Sequence, residues 1–141
     1  MDELELALGV ALEAHKGQLD RAGRPYILHP LTVMQHVDPG AAQVTAVLHD
    51  VIEDSEMTLA DLEAVGFSAE VLEAVDLMTH REDVDYDDYV RALRDNPIAR
   101  QVKLADLAHN MDIRRIAGPL DDSDCRRLAK YRRAWAILTG S

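Results

Sequence analysis

Residues 46–55, AVLHDVIEDS, form the segment that most limits what this chain can fold into. In a helix with about 100° between residues, an imidazole and three carboxylates share one arc, contributed by His49, Asp50, Glu53 and Asp54. The other face repeats apolar side chains at helical spacing, namely Val44, Val47, Leu48, Val51 and Ile52. The pattern therefore predicts a helix that packs one face into a core and presents a chemically active face.

Two interpretations of this active face are open. It is either a solvated acidic surface or a metal site with an acid–base pair beside it. The adjacency of His49 and Asp50 suits joint metal ligation. Glu53 and Asp54 follow one turn later, where a general base and a proton shuttle would stand. The second interpretation predicts metal-assisted chemistry.

The composition favours a single all-α domain. The chain has 141 residues, of which 48% are apolar and only 4% are aromatic. A chain of this length can bury one substantial core. We see no repeat or linker-like segment, so residues 1–141 are expected to form one compact helical bundle with the metal site between helices.

Charge and cysteine usage restrict the partners and the compartment. The net charge of −11 disfavours a general nucleic-acid-binding surface. No apolar run is long enough to span a bilayer, and the acidic start does not resemble a signal peptide. Cys125 is the only cysteine, which excludes an internal disulfide and favours the cytoplasm. The composition does not distinguish a monomer from a homodimer.

Capping signals mark where several helices begin. Thr58 and Asp61 have the spacing of a capping box. Asn96 precedes Pro97, the arrangement of an N-cap followed by proline at the first helical position, and Asp121 starts the last helix. With these starts, helical spacing predicts helices over 3–16, 31–37, 41–53, 86–94, 98–116 and 121–139.

The predicted helix over 98–116 carries one narrow polar strip on an otherwise apolar surface. Lys103, Asp106 and Asn110 stand at i, i+3 and i+7 in this strip. A helix with so much apolar surface is largely buried, and a buried carboxylate costs several kcal/mol unless it is paired or binds a metal. Asp106 therefore either pairs with Lys103 or completes the site that His49 and Asp50 begin.

Residues 17–29, GQLDRAGRPYILH, are predicted to be a loop, because Gly23 and Pro25 interrupt them. His29 precedes Pro30, so an extended backbone is expected at His29 and a helix start at Pro30. A histidine at such a junction can point into a cleft, which makes His29 a candidate ligand.

Two other polar residues receive different interpretations. His15 falls on the apolar face of the helix over 3–16 and is interpreted as a core histidine. The charged segment over 80–88 is predicted to be a solvated loop, with Arg81 as the exception that can reach a cleft.

Four candidate ligands come from a loop and two helices: His29, His49, Asp50 and Asp106. A mixed set of imidazoles and carboxylates suits Mn²⁺, Fe²⁺, Mg²⁺ or Zn²⁺ with open positions for water, and it lacks the thiolates of a structural zinc site. A bound divalent ion would activate water and offset phosphate charge, with Glu53 and Asp54 as base and shuttle. The set predicts hydrolysis of a phosphoester.

Three ordered motifs between residues 14 and 112 resemble those of a known family. AHKGQLDRAGRPYILHP resembles a segment with GQ, a basic pair and PYxxHP; AVLHDVIEDS resembles HD-x-x-ED; VKLADLAHNMD resembles KLAD-x-x-HN-M. The H…HD…D pattern resembles the HD-domain phosphohydrolase superfamily. Together the motifs are similar to the hydrolase domain of RelA/SpoT proteins and to small alarmone hydrolases. The late AKYRRAW weakly resembles the family's terminal helix with its pocket tyrosine.

The resemblance implies an all-helical domain that removes the 3′-pyrophosphate from guanosine polyphosphates such as ppGpp, leaving GDP or GTP. It implies Mn²⁺, or another divalent metal, at the four candidate ligands and implies Glu53 and Asp54 as the catalytic pair. Asn110 and Tyr131 match nucleotide-contacting positions, and Lys103 is a further substrate-binding candidate. A synthetase domain is not expected in this length.

The sequence departs from the family at the basic pair after GQ. That pair is usually Arg-Lys, with the Arg stacked on guanine, and here it reads Asp20-Arg21. Arg21 or Arg24 would have to replace the missing cation–π partner. Other nucleotides, such as ppApp or NADPH, are therefore alternative substrates, and a non-catalytic nucleotide sensor is the alternative from another class. A pyrophosphohydrolase releases pyrophosphate and a nucleotide phosphatase releases orthophosphate, so the product distinguishes these two enzyme hypotheses.

Overall fold

The computed structural model describes residues 1–141, and its only β-type pairing is one isolated bridge between Leu19 and Pro25. A 3₁₀ turn covers Ile113–Arg115. None of the helices combines the length and the apolar character that crossing a membrane requires. The predicted all-α class is confirmed, with helices α1 (Glu3–Ala14), α2 (Leu28–Gln35), α3 (Ala41–Leu48), α4 (Val51–Asp54), α5 (Leu59–Val65), α6 (Ala69–Met78), α7 (Tyr86–Ala92), α8 (Pro97–Asn110) and α9 (Asp122–Thr139).

Helix α3 lies at the centre of the bundle and packs against α1, α2, α6 and α8. Val47, Leu48 and the following Val51 are fully buried in an apolar cluster shared with α1, α5 and α6. A second cluster, which includes Val102 and Leu107, joins α8 to α2, α6, α7 and α9. Each fully buried Val or Leu side chain stabilises the fold by about 1.5–3 kcal/mol. These contacts hold the end of α3 and the middle of α8 in fixed positions.

The predicted continuous helix over 41–53 is wrong, because the structure divides it at His49 and Asp50. Helix α3 ends at Leu48, and α4 covers only Val51–Asp54. At the break, His49 Nδ1 donates a hydrogen bond to the carbonyl oxygen of Ala46 at 2.6 Å. A continuous helix would pair that carbonyl with the amide of Asp50, so the imidazole competes with the main chain. The break lets two adjacent side chains face one pocket.

The extended backbone predicted for His29 is also wrong. Helix α2 begins at Leu28 after the N-cap Ile27, so His29 and Pro30 both lie in its first turn. Amides in the first turn have no partner within the helix, and proline is therefore accepted there without loss of a hydrogen bond. The helix holds His29 more firmly than an extended junction would.

The predicted capping signals are confirmed. Thr58 and Asp61 form a complete capping box at the start of α5. The Asn96 side chain accepts the amide of Ala99 at 2.9 Å, with Pro97 as the first residue of α8. The last helix begins in the same way, with a capping box formed by Asp121 and Asp124.

Helix α8 ends at Asn110 and does not reach residue 116 as predicted. The side chain of Asp112 accepts the amide of Arg114 at 3.1 Å and caps the 3₁₀ turn. A short polar side chain that binds a nearby amide offers the backbone an alternative to the helix. The chain therefore turns beside the end of α8, and this turn places Arg115 near the candidate site.

Candidate functional site

The four predicted metal ligands converge in the structure. His29 comes from the first turn of α2, His49 and Asp50 come from the break after α3, and Asp106 comes from α8. His29 Nε2 lies 2.8 Å from Asp106 Oδ1 and 3.9 Å from Asp50 Oδ2. His49 Nε2 lies 3.1 Å from Asp50 Oδ2 and 3.4 Å from Asp106 Oδ1. Donor atoms of His29, His49 and Asp50 all lie within 4.8 Å of one another.

The ring of His49 has the orientation that a metal ligand needs. Because Nδ1 donates to a carbonyl oxygen, the neutral ring carries its lone pair on Nε2. That atom is buried and makes no hydrogen bond, although nearly all buried polar atoms have a partner. A cation among two imidazoles and two carboxylates would satisfy it, and this donor set suits hard or borderline divalent metals. The residues present therefore fit a divalent metal site.

The charges in this cluster depend strongly on one another. Burial disfavours a charged His49, but the carboxylates of Asp50 and Asp106 outweigh burial and raise its pKa well above the usual value. Burial likewise opposes ionisation of Asp50, and the neighbouring His49 lowers the pKa of Asp50 to about 2. A metal therefore has to compete with a proton for His49 Nε2.

Three side chains hold the carboxylates in place. The Tyr26 hydroxyl donates to Asp50 Oδ2. Lys103 Nζ donates to Asp106 Oδ2 at 3.0 Å, and Asn110 Nδ2 donates to Asp106 Oδ1 at 3.1 Å. Such partners orient metal ligands and tune their basicity. The two alternatives for Asp106, an ion pair with Lys103 or a place in the metal site, are therefore compatible. Asp106 pairs with Lys103 and also faces both histidines.

Glu53 and Asp54 border a small pocket of about 220 Å³ that His49, Asp50 and Asp106 also line. Burial raises the pKa of Glu53, while a hydrogen bond from the backbone amide of His80 opposes that shift. Burial and the nearby Asp50 raise the pKa of Asp54. Both residues are exposed at the edge of the pocket, and the raised pKa makes each carboxylate more basic than an isolated one.

A larger cleft of about 510 Å³ adjoins this pocket. Tyr26, Asn110 and Tyr131 line both cavities, so the two are continuous. Arg21 lines the cleft, whereas Arg24 lines neither cavity. Of the predicted substrate-binding residues, Arg21, Asn110 and Tyr131 therefore stand at the cleft.

Asp20 organises the loop at the outer end of this cleft. Its Oδ1 accepts the amides of Ala22 and Arg24, both at 2.9 Å. Its Oδ2 lies 3.7 Å from Arg115, which also lines the cleft. Asp20 therefore folds the loop and pairs with Arg115.

The sequence reasoning missed His109 and Arg115. His109 lies one helical turn after Asp106, and its Nδ1 is 2.7 Å from Nδ1 of His29. Burial and the charge of Arg115 lower the pKa of His109 to about 4. The one-turn spacing from Asp106 was a signal that could have identified His109. Arg115 depends on the turn after α8, which the predicted long helix concealed.

Two other interpretations have different outcomes. His15 is buried, as expected, and its Nδ1 is bonded to Gln18 Oε1 at 2.8 Å, but its Nε2 has no hydrogen-bond partner. Arg81 pairs with Asp76 at 3.0 Å on the surface and lines neither cavity, so the expectation that it reaches a cleft is wrong. The backbone of His80, and not the side chain of Arg81, connects this segment to the site.

Two curated relatives with similar sequences are much longer than this chain. No protein-family model matches the chain. A guanosine-3′,5′-bis(diphosphate) 3′-pyrophosphohydrolase of Haemophilus influenzae is 35% identical over 138 residues, covering 86% of this chain and 20% of that protein. A GTP pyrophosphokinase of Streptomyces coelicolor is 35% identical over 123 residues, covering 77% of this chain and 14% of that protein. The chain spans about a fifth or less of the length of these curated relatives.

The fold also has a close match among solved structures. A structure of a metazoan ortholog of SpoT, described as hydrolysing ppGpp and acting in starvation responses, has a TM-score of 0.81 to this chain. The two share 21% sequence identity, and the match covers 99% of this chain and 87% of that one. The likeness establishes that both chains have the same helical architecture.

Proposed function

The chain is homologous to the hydrolase domain of RelA/SpoT proteins, and from this relationship we propose that it hydrolyses the 3′-pyrophosphate of guanosine polyphosphates such as ppGpp. The products would be pyrophosphate and GDP or GTP. The observation that carries the proposal is the buried His/Asp cluster, with an unpartnered His49 Nε2, beside two carboxylates of raised pKa. This arrangement suits attack by water on a phosphoester.

We propose His29, His49, Asp50 and Asp106 as the residues that would hold Mn²⁺ or another divalent cation. When bound, the cation supplies positive charge that stabilises phosphate oxygens and favours deprotonation of the attacking water. Tyr26, Lys103 and Asn110 keep the two aspartates oriented toward the histidines. Lys103 also offsets the negative charge of the buried Asp106, so the cluster tolerates a second carboxylate, that of Asp50, beside it.

Glu53 is the proposed general base, and Asp54 is the proposed shuttle that carries the proton to solvent. A base works best when its pKa approaches the working pH, and burial raises the pKa of both groups. The amide of His80 holds one oxygen of Glu53, which leaves the other oxygen to accept a proton from water. Asp54, which is exposed to solvent, is the proposed end of this route.

The adjoining cleft is the proposed site for the nucleotide. Arg21, Arg115 and Arg127 line it together with four aspartates, two of which pair with Arg115 and Arg127. Tyr26 and Tyr131 supply aromatic surface. Asn110 stands where the cleft meets the small pocket, and Lys130 lines that pocket close to Lys103. In this proposal the phosphates bind in the small pocket, where charged groups can pair with them. The nucleotide base binds in the cleft, where it can contact the aromatic rings and the arginines.

A cytoplasmic location, a preference for Mn²⁺ and the absence of a nucleic-acid partner are part of the same proposal. The support for the location is the single cysteine, and the support against nucleic acid is the net charge of −11. A mixed set of nitrogen and oxygen ligands suits several divalent metals, and manganese is proposed among them from the resemblance to the RelA/SpoT hydrolases.

The test is a product assay with ppGpp, ppApp and NADPH as separate substrates, with Mn²⁺ or with EDTA. We expect Mn²⁺-dependent release of pyrophosphate and GDP from ppGpp. Asp50→Asn is expected to abolish release, whereas Glu63→Gln, at an exposed acid on α5 that lines neither cavity, should leave it unchanged. Pyrophosphate from ppApp alone, orthophosphate from NADPH alone, or no turnover would each overturn the proposed substrate.

A further inference from the structure

His29 and His109 contact each other through a pair of atoms that the proposed reaction does not use. Their Nδ1 atoms lie 2.7 Å apart, the ring planes differ by 9°, and the ring centroids are 5.0 Å apart. The two nitrogens are close, but the centroids are far apart and the planes are nearly parallel. The two rings therefore lie edge to edge in about one plane. The contact is therefore an N–H···N hydrogen bond in which one proton lies between two ring nitrogens.

The direction of this hydrogen bond decides whether His29 can bind a metal. His29 Nε2 faces Asp106 Oδ1 at 2.8 Å and Asp50 Oδ2 at 3.9 Å, so Nε2 is the atom available as a ligand. A ligating Nε2 needs a free lone pair, and the proton of the neutral ring must then be on Nδ1. That N–H needs an acceptor, and the acceptor in this structure is His109 Nδ1.

An imidazole suits this position because the same atom can donate or accept. In the metal-free state, His109 Nδ1–H can donate to His29, while His29 Nε2–H donates to Asp106. In the ligating state, His29 Nδ1–H donates to His109, whose own proton is then on Nε2. The two rings keep two protons in both arrangements, so no group is left buried with an unmatched donor or acceptor.

We propose that His109 is a positioning residue that accepts the Nδ1 proton of His29 and holds His29 in the tautomer that binds metal. The proposal rests on the metal site of the proposed function, but it concerns metal affinity and not the substrate. Arg115 supports His109, because its Nη1 donates to the main-chain carbonyl of His109 at 2.9 Å. The α8 end that carries His109 is thereby tied to the turn that follows it.

The first test measures Mn²⁺ affinity by calorimetry on purified protein, without substrate. His109→Leu keeps bulk but removes the acceptor, and we expect affinity to fall about 10–100-fold, as for other supporting partners of metal ligands. His109→Asn places an amide oxygen near the position of Nδ1 and should restore affinity to within a few-fold of the wild type. His36→Leu is the matched control, since His36 is exposed and bonds only to the carbonyl of Thr32.

Each outcome of that titration decides the proposal. Unchanged affinity in His109→Leu would overturn it, and so would equal weakening in the Leu and Asn variants, because loss of shape alone would then explain the effect. Should His109→Leu fail to fold, ¹⁵N NMR of the wild type loaded with Zn²⁺ decides instead. A protonated Nδ1 on His29 supports the proposal, and a protonated Nε2 contradicts it. Failure of ppGpp hydrolysis with normal metal binding would affect only the proposed substrate.

Discussion

Lys103 Nζ lies 3.0 Å from Asp106 Oδ2, and both side chains are almost completely buried. The same aspartate faces His29 and His49, so one carboxylate is shared between an ion pair and the candidate metal site. Burial disfavours a charged Asp106, but Lys103 and the two histidines outweigh it and hold its pKa well below the usual range. The lysine is therefore part of the charge balance of the cluster.

Removing Lys103 tests this charge balance through stability. Breaking a buried ion pair by deleting one partner costs about 3–5 kcal/mol. We expect Lys103→Met to lower the free energy of unfolding of the metal-free protein by about that much, measured by urea denaturation in EDTA. Saturating Mn²⁺ should recover part of the loss. Lys16→Met, at an exposed lysine after α1, is the control, and an equal loss in that variant would contradict the account.

Glu53→Gln tests the assignment of the general base. We expect turnover of ppGpp to fall about 10²–10⁴-fold, the usual contribution of a positioned base, with Mn²⁺ affinity unchanged because Glu53 is not a proposed ligand. Glu56→Gln, at an exposed acid just beyond α4 that lines neither cavity, should keep the wild-type rate. A Glu53→Gln enzyme with full activity would show that another group accepts the proton.

The acidic limb of the pH–rate profile should report the same base. A carboxylate must be ionised to accept a proton, so activity is expected to fall as the pH drops through the pKa of Glu53. Because burial raises that pKa, the fall should begin at a higher pH than for an ordinary glutamate. The measurement is kcat against pH at saturating Mn²⁺, and a profile flat down to the ordinary range of glutamate would contradict the prediction.

Metal affinity should also depend on pH, through His49. The carboxylates of Asp50 and Asp106 raise the pKa of His49 despite its burial, so the ring is protonated at pH values below that raised pKa. A protonated Nε2 cannot bind a metal, and the proton must leave first. Mn²⁺ binding is therefore expected to weaken as the pH falls and to release protons into the buffer. Calorimetry in buffers of different ionisation enthalpy measures the release, and the absence of any release would contradict this account.

Asp20 tests how the cleft recognises its ligand. Asp20→Asn keeps an oxygen that can accept the amides of Ala22 and Arg24, but it removes a negative charge and releases Arg115 from its partner. We expect the KM for ppGpp to fall about 2–5-fold, which corresponds to up to about 1 kcal/mol for the half-buried pair of Asp20 and Arg115, with kcat unchanged. An increase in KM would mean that Asp20 itself binds the nucleotide.

Much of the fold follows from local signals in the sequence. The capping box at Thr58, the Asn96-Pro97 start and the start at Asp121 lie where expected, because capping depends on residues within one turn. The break after Leu48 could not be predicted in this way. Apolar spacing continues through Val51 and Ile52 without interruption, and that spacing does not reveal that the His49 side chain bonds the carbonyl oxygen of Ala46.

The candidate ligands were predictable for a different reason. Asp106 was predicted because a carboxylate on a largely apolar helix needs a partner or a metal. His49 and Asp50 were predicted because they are adjacent on one polar face, and His29 because it stands at the start of a helix after a loop. The partner of His29 was not predictable, because the contact with His109 joins α2 to α8 over 80 positions of sequence. Arg115 was concealed in the same way, since only the early end of α8 places it near Asp20.

The most direct test of the central claim follows pyrophosphate release from ppGpp while Mn²⁺ is titrated into metal-free protein. The account predicts no release before the first addition and a rate that rises in proportion to bound Mn²⁺. It also predicts that the rate stops rising when one ion is bound per chain, at the cluster of two histidines and two aspartates. Release of pyrophosphate by the metal-free protein, or full occupancy of the cluster without any release, would contradict it.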